Sequence, residues 1–189
     1  MTRDEAYQIL HSLVKNENLI KHHLAAEAAM KALYKRLTPN PIPQEEEAWG
    51  IVGLLHDADY ELCKNHPERH TLILEEKIGD KLDPKLMHAI KSHNWQNIGV
   101  VPKTKLDWSI YCCDELTGLI IAATLIHPEK KLGLLTVEFV MNRFNEPSFA
   151  KGANRAQIMM CEKELTIPLT EFVGIVLRAM QEISTTLGL

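Results

Sequence analysis

The four cysteines, Cys63, Cys112, Cys113 and Cys161, form no CxxC pair, and two of them are adjacent. That spacing suits neither a disulfide framework nor a zinc finger, so they read as reduced, mostly buried thiols. Positive charge is scarce as well: 21 Lys and Arg stand against 25 Asp and Glu, giving a formal charge of -4 and a pI near 6.1. Nucleic acid and anionic membrane both need clustered cations, and neither is expected as a partner. Long apolar runs are missing too. The greasiest stretch, LTGLIIAATLI, is too short and too Thr-rich to span a bilayer, and MTRDEAYQIL lacks the basic and apolar regions of a signal peptide. The expectation is a soluble, cytoplasmic protein that acts on small molecules.

What is present is helix. No convincing period-2 alternation occurs, whereas apolar residues recur at steps of three and four, so the chain reads as nearly all α. Its 189 residues, 46% of them hydrophobic, suffice for one core, and residues 1–189 are expected to form a single domain. Thr2-x-x-Glu5 is a capping box opening a helix to about Lys15, and Asn16 or Asn18 caps a second to about Leu37. TPNPIP breaks the chain. The acids Glu45, Glu46 and Glu47 suit the start of a third helix that reaches His56-Asp57. Pro67 predicts a helix ending near Gly79, and Asp83-Pro84 another ending around His93-Asn94. A long helix runs from Lys105 to about Leu125, followed by segments near Thr136–Asn142, Phe149–Leu165 and Leu169–Leu187. The apolar stretch EFVGIVLRAM in the last of these can complete the core or make a homodimer interface, and periodicity does not choose.

Polar residues on apolar stripes carry the chemistry, because an uncompensated buried charge is costly and needs a partner or an ion. The second helix has the stripe Leu19, His22, Ala26, Met30, Leu33, Leu37, which turns His22 inward. His23 falls instead beside Glu27 and Lys31, toward a more polar side. In the long helix, Asp114 interrupts Leu106, Ile110, Thr117, Ile121, Leu125. Two further stripes, Leu86-Ile90-His93 and His70-Leu74-Ile78, each carry one histidine. AWGIVGLL is apolar all round, as in the centre of a bundle, and His56-Asp57 terminates it. Convergence of His22, His56, Asp57 and Asp114 would place two imidazoles and two carboxylates around one divalent cation. Such nitrogen and oxygen ligands suit Mn, Fe, Co, Ni or Zn, and the lack of thiolates argues against structural zinc.

The order His22, His56-Asp57, Asp114, with the doublet 34 residues after His22 and 57 before Asp114, resembles the H…HD…D signature of the HD superfamily of metal-dependent phosphohydrolases. The likeness spans about Asn18 to Ala122. More closely, NLIKHHLAAEA, WGIVGLLHDADYE and CCDELTGLI are similar to small bacterial HD-domain proteins. The resemblance implies an all-α HD-type bundle, with a metal-site core over about residues 18–122 and the helices of about 136–189 packed on it. It implies that the four motif residues hold the metal and, by likeness to members with two ions, that His70 and His93 hold a second, with Asp57 as the bridge.

A bound divalent ion makes hydroxide available near neutral pH and polarises a phosphoryl oxygen, so phosphoester hydrolysis of a small molecule, plausibly a nucleotide, is the expected activity. Asp57, Asp59 and Glu61 are the candidate proton carriers. Tyr60 stands where some nucleotidases of the superfamily have an acid, which weakens a transfer of nucleoside-monophosphate specificity. Lys151 and Arg155 in SFAKGANRAQI, and Lys91, are candidates for holding the substrate phosphate. Thr117 is one turn from Asp114 and could support it. The same scaffold could alternatively house a di-iron oxygenase, or a signalling module that binds metal without catalysis.

Overall fold

Capping side chains set the starts of several helices. In the computed structural model, which describes residues 1–63 and 65–189, Thr2 and Glu5 form the capping box of α1 (Arg3–Leu13), and Asn16 caps α2 (Glu17–Leu37). Proline in the first turn starts α3 (Pro43–Leu55), just ahead of the glutamate cluster. Then come α4 (Tyr60–Cys63), α5 (Leu72–Ile78), α6 (Pro84–His93, capped by Asp83) and α7 (Trp95–Ile98). Thr104 and Asp107 form a second capping box for α8 (Lys105–Ile126). Thr136 caps α9 (Val137–Phe144) and Asn154 caps α10 (Arg155–Glu164); α11 (Leu169–Glu182) and α12 (Ser184–Leu187) follow. Helix makes up 71% of the chain, and no strand occurs among the described residues.

The tightest pairing is α2 on α3, with α8 packed against α2, α6 and α10. Gly53 makes the first crossing possible. A Cβ there would lie 2.5 Å from the Ala26 carbonyl oxygen and 2.7 Å from the Glu27 nitrogen, both rigid backbone atoms. The close approach brings the end of α3, and so His56, against the early turns of α2. Met30, Leu33, Leu55, Leu116, Ile120 and Phe172 are fully buried in one cluster, each contributing roughly 1.5–3 kcal/mol of transfer free energy. Although α8 is long and apolar enough to cross a membrane, 61% of its most apolar window is buried, as befits the central helix of a bundle. On α11, Phe172, Val173, Val176, Leu177 and Met180 are buried, so EFVGIVLRAM completes the chain's own core. The four cysteines are free and buried, and burial pushes the Cys63 and Cys161 thiols up to about 12.

Four sequence expectations need correction. The helix expected from Pro67 to Gly79 is two pieces: a 3-10 turn at Pro67–Arg69, a break at His70 and Thr71, then α5. Thr71 has φ 72, a strained conformation for a β-branched residue, and the Asp59 carboxylate holds the break by accepting from the Thr71 and Leu74 N–H groups at 3.1 and 2.9 Å. The helix expected from Phe149 begins only at Arg155. The Arg155 guanidinium donates to the carbonyls of Phe149, Ala150 and Ala153, winding that segment into a turn. The last helix breaks at Ile183. Finally, His23 is 0% exposed rather than turned to a polar side, because its neighbour Glu27 is itself buried, held bidentately by Arg3 and paired with Lys31.

Candidate metal centre

Five segments of the chain converge on one site. His22 comes from the second turn of α2, His56 and Asp57 from the end of α3, His70 from the break before α5, His93 from the last residue of α6 and Asp114 from mid α8. His22 Nε2 lies 3.0 Å from Asp114 Oδ1, 3.2 Å from His56 Nε2 and 3.7 Å from Asp57 Oδ2; His56 Nε2 lies 3.3 Å from Asp114 Oδ1 and 3.6 Å from Asp57 Oδ2. On the other oxygen of Asp57, Oδ1, His70 Nε2 stands at 3.0 Å and His93 Nε2 at 3.2 Å, the two nitrogens being 3.0 Å apart. Asp57 thus turns one oxygen to each group.

The outer ring nitrogens fix the tautomers. His56 Nδ1–H donates to the Gly53 carbonyl at 2.8 Å, His93 Nδ1–H to the Ile90 carbonyl, and His70 Nδ1–H to Asp59 at 2.7 Å. Thr117 spends its hydroxyl hydrogen on the Asp114 carbonyl at 2.8 Å, so at 3.1 Å its oxygen accepts from His22 Nδ1–H. In its neutral form each imidazole therefore aims a bare Nε2 lone pair into the site, the arrangement metal-ligating histidines adopt. Two such lone pairs facing at 3.2 Å, and two more at 3.0 Å, repel unless a cation lies between them. Metal bonds of about 2.1 Å put neighbouring ligand atoms about 3.0 Å apart in an octahedron and about 3.4 Å apart in a tetrahedron. The observed 3.0–3.7 Å around His22, His56, Asp57 and Asp114 fits either, so these buried His and Asp groups can hold a metal ion.

Electrostatics point the same way. Burial opposes protonation of His56, yet Asp57 and Asp114 outweigh it and raise the imidazole to about 9; for His70, Asp57 and Asp59 likewise overcome burial and raise it to about 10. Burial would push the carboxyls of Asp57 and Asp114 up, but the surrounding imidazoles hold both well below the ordinary range. The site draws positive charge.

Several candidates have other roles. Asp59 is 0% exposed and its carboxylate is committed to His70, Thr71 and Leu74, so it orients the His70 ring and caps α5. Glu61 accepts from the N–H groups of Lys15 and Asn16 at the surface, joining α4 to the α1–α2 turn. Lys91 is paired with Glu75, and Arg155 is bound to backbone carbonyls. Lys151 is exposed and lies outside the cavity wall that its neighbours Ala150 and Gly152 help to form.

That cavity, of about 700 Å³, opens directly onto His22, Asp57, His70, His93 and Asp114. Its remaining wall includes Tyr60, singled out in the sequence, and Asn94, Gln96, Asn97, Glu115 and Gln157, which were not. Glu115 lies off the apolar stripe of α8, Gln157 is buried on α10 beside Ile158 and Cys161, and only the fold shows that α10 returns beside α8. Asn94 ties the His70 turn in place through the Pro67 and His70 carbonyls at 2.9 and 3.1 Å. Compared with known proteins, the chain matches no family model, no curated protein and no solved structure.

Proposed function

We propose that the chain is an HD-type, metal-dependent phosphohydrolase that cleaves a phosphate ester of a small molecule, with two divalent transition-metal ions sharing Asp57. The observation that supports it is the pair of opposed Nε2 lone pairs, His22 with His56 and His70 with His93, on either side of one carboxylate. His22, His56, Asp57 and Asp114 would hold one ion, and Asp57, His70 and His93 the other. When bound, such ions lower the pKa of coordinated water to about 7 and offset charge developing on a phosphoryl group. Asp57 and Asp114, kept ionised by the imidazoles around them, are suited to holding cations rather than delivering protons. The cavity opens onto His22, Asp57, His70, His93 and Asp114, so a substrate entering it could reach ions held by them.

The test is elemental analysis of freshly purified protein together with a screen of phosphorylated metabolites under Mn²⁺, Co²⁺ and Ni²⁺. About two ions per chain and release of phosphate are expected. Fully loaded protein that releases no phosphate from any compound, or that consumes O₂ with bound iron instead, overturns the hydrolase reading.

A further inference from the structure

The cavity wall beyond the metal ligands has an unusual charge balance for a phosphate site. Among the described residues no lysine or arginine lines it, and three carboxylates do: Asp57, Asp114 and Glu115. Lys91 and Arg155 are spent on Glu75 and on backbone carbonyls. Two divalent ions would offset the three carboxylates and leave about one positive charge, against the roughly two negative charges of one phosphomonoester. A second phosphate would find no counter-charge.

The rest of the wall is built to meet hydrogen-bond donors. Gln96 gives its Nε2–H to the Tyr111 hydroxyl, Asn97 its Nδ2–H to Asn94 Oδ1 and Gln157 its Nε2–H to the Tyr111 carbonyl. None of the carbonyl oxygens of these three side chains takes part in a hydrogen bond among the described residues. Glu115 accepts from the Asn154 N–H on Oε2 at 3.0 Å, leaving Oε1 available. Room is kept as well: Gly118, in the middle of α8, would have no atom within 4 Å of an added Cβ, and Gly152 on the same wall is equally open. Glycine disfavours a helix interior, and packing does not require it at Gly118.

We propose that the cavity takes the monophosphate of a neutral, polyhydroxylated compound, a sugar or a nucleoside, whose hydroxyls donate to Glu115, Gln96, Asn97 and Gln157, and that it disfavours compounds bearing further phosphates. This deepens the phosphohydrolase reading and rests on it. The experiment compares AMP, ATP and inorganic pyrophosphate on the metal-loaded chain, by kcat/KM and by calorimetric binding, with elemental analysis of every variant. AMP is expected to be preferred over ATP by about tenfold or more, and Glu115→Lys to shrink that ratio by about tenfold while the metal content stays unchanged. Gly118→Phe is expected to weaken AMP while inorganic phosphate still binds. Preference for ATP or pyrophosphate by the metal-loaded wild type, or an unaltered ratio in Glu115→Lys with metal retained, overturns the proposal and leaves the hydrolase reading intact. If no compound is turned over, the hydrolase reading fails, and calorimetric preference for ATP over AMP would overturn the charge argument separately.

Discussion

The two sides of Asp57 are built from different material. On the Oδ2 side, His22, His56 and Asp114 project from α2, α3 and α8, the long helices that form the core, and Gly53 locks two of these together backbone to backbone. On the Oδ1 side, His70 and His93 stand at a chain break and a helix end, steadied by the side chains of Asp59 and Asn94. The first group is rigid because the hydrophobic core is rigid. The second is only as rigid as the few polar contacts that hold it, so its geometry depends on single residues in a way that the first does not.

The largest expected effect breaks both sides at once. Asp57→Ala removes the one side chain common to them and should abolish metal binding and hydrolysis, while His70→Ala should cost only one ion. Elemental analysis, with circular dichroism to confirm that helix is retained, measures the difference. An Asp57→Ala protein that keeps one ion would show that the two sides do not share a bridge.

This contrast also explains what could be read from the sequence. Helical periodicity located His22, Asp114 and the apolar helix before His56 because packing and periodicity express the same 3.6-residue repeat. Several helix starts are legible for a similarly local reason, the capping groups at Thr2, Asn16 and Asp83. Elsewhere the decisive partner is remote in sequence. The break at Thr71 is held by a carboxylate 12 residues away, and the turn before Arg155 by a guanidinium that periodicity treats as surface charge. The burial of His23 escapes periodicity because the burial of Glu27 depends on Arg3, 24 residues earlier. Periodicity turns His70 inward on a stripe that does not exist, since its helix starts only at Leu72; what turns it inward is Asp59.

A smaller effect should separate the two sides. Asp59→Asn keeps the shape but removes the charge that orients His70, and places an amide N–H₂ where one of the Thr71 and Leu74 N–H groups had an acceptor. Affinity for the ion on the Oδ1 side should fall about 10–100-fold, with the other ion nearly unaffected. The metal-free protein should lose about 1–3 kcal/mol of stability. Chelator competition and denaturant titration measure the two quantities; equal weakening of both ions would mean that the sides are one mechanical unit.

The mildest probe is pH, and its sign differs between the metal-free and the loaded protein. Without metal, the folded state holds a proton on His56 up to about 9 and on His70 up to about 10, above the ordinary histidine value of 6.5. The two groups therefore stabilise the metal-free fold fully below about 6.5, and that contribution fades as pH rises through 9 and 10, by about 1.4 kcal/mol per unit for each group at most. Metal must displace those same protons, so affinity should rise with pH by about tenfold per unit for each ion, levelling near 9 on the His56 side and near 10 on the His70 side. Calorimetry in buffers of different ionisation enthalpy reads the protons released, about one per ion at neutral pH. Metal uptake without proton release would mean that the facing imidazoles hold no shared proton, and the charge balance on both sides of Asp57 would have to be redrawn.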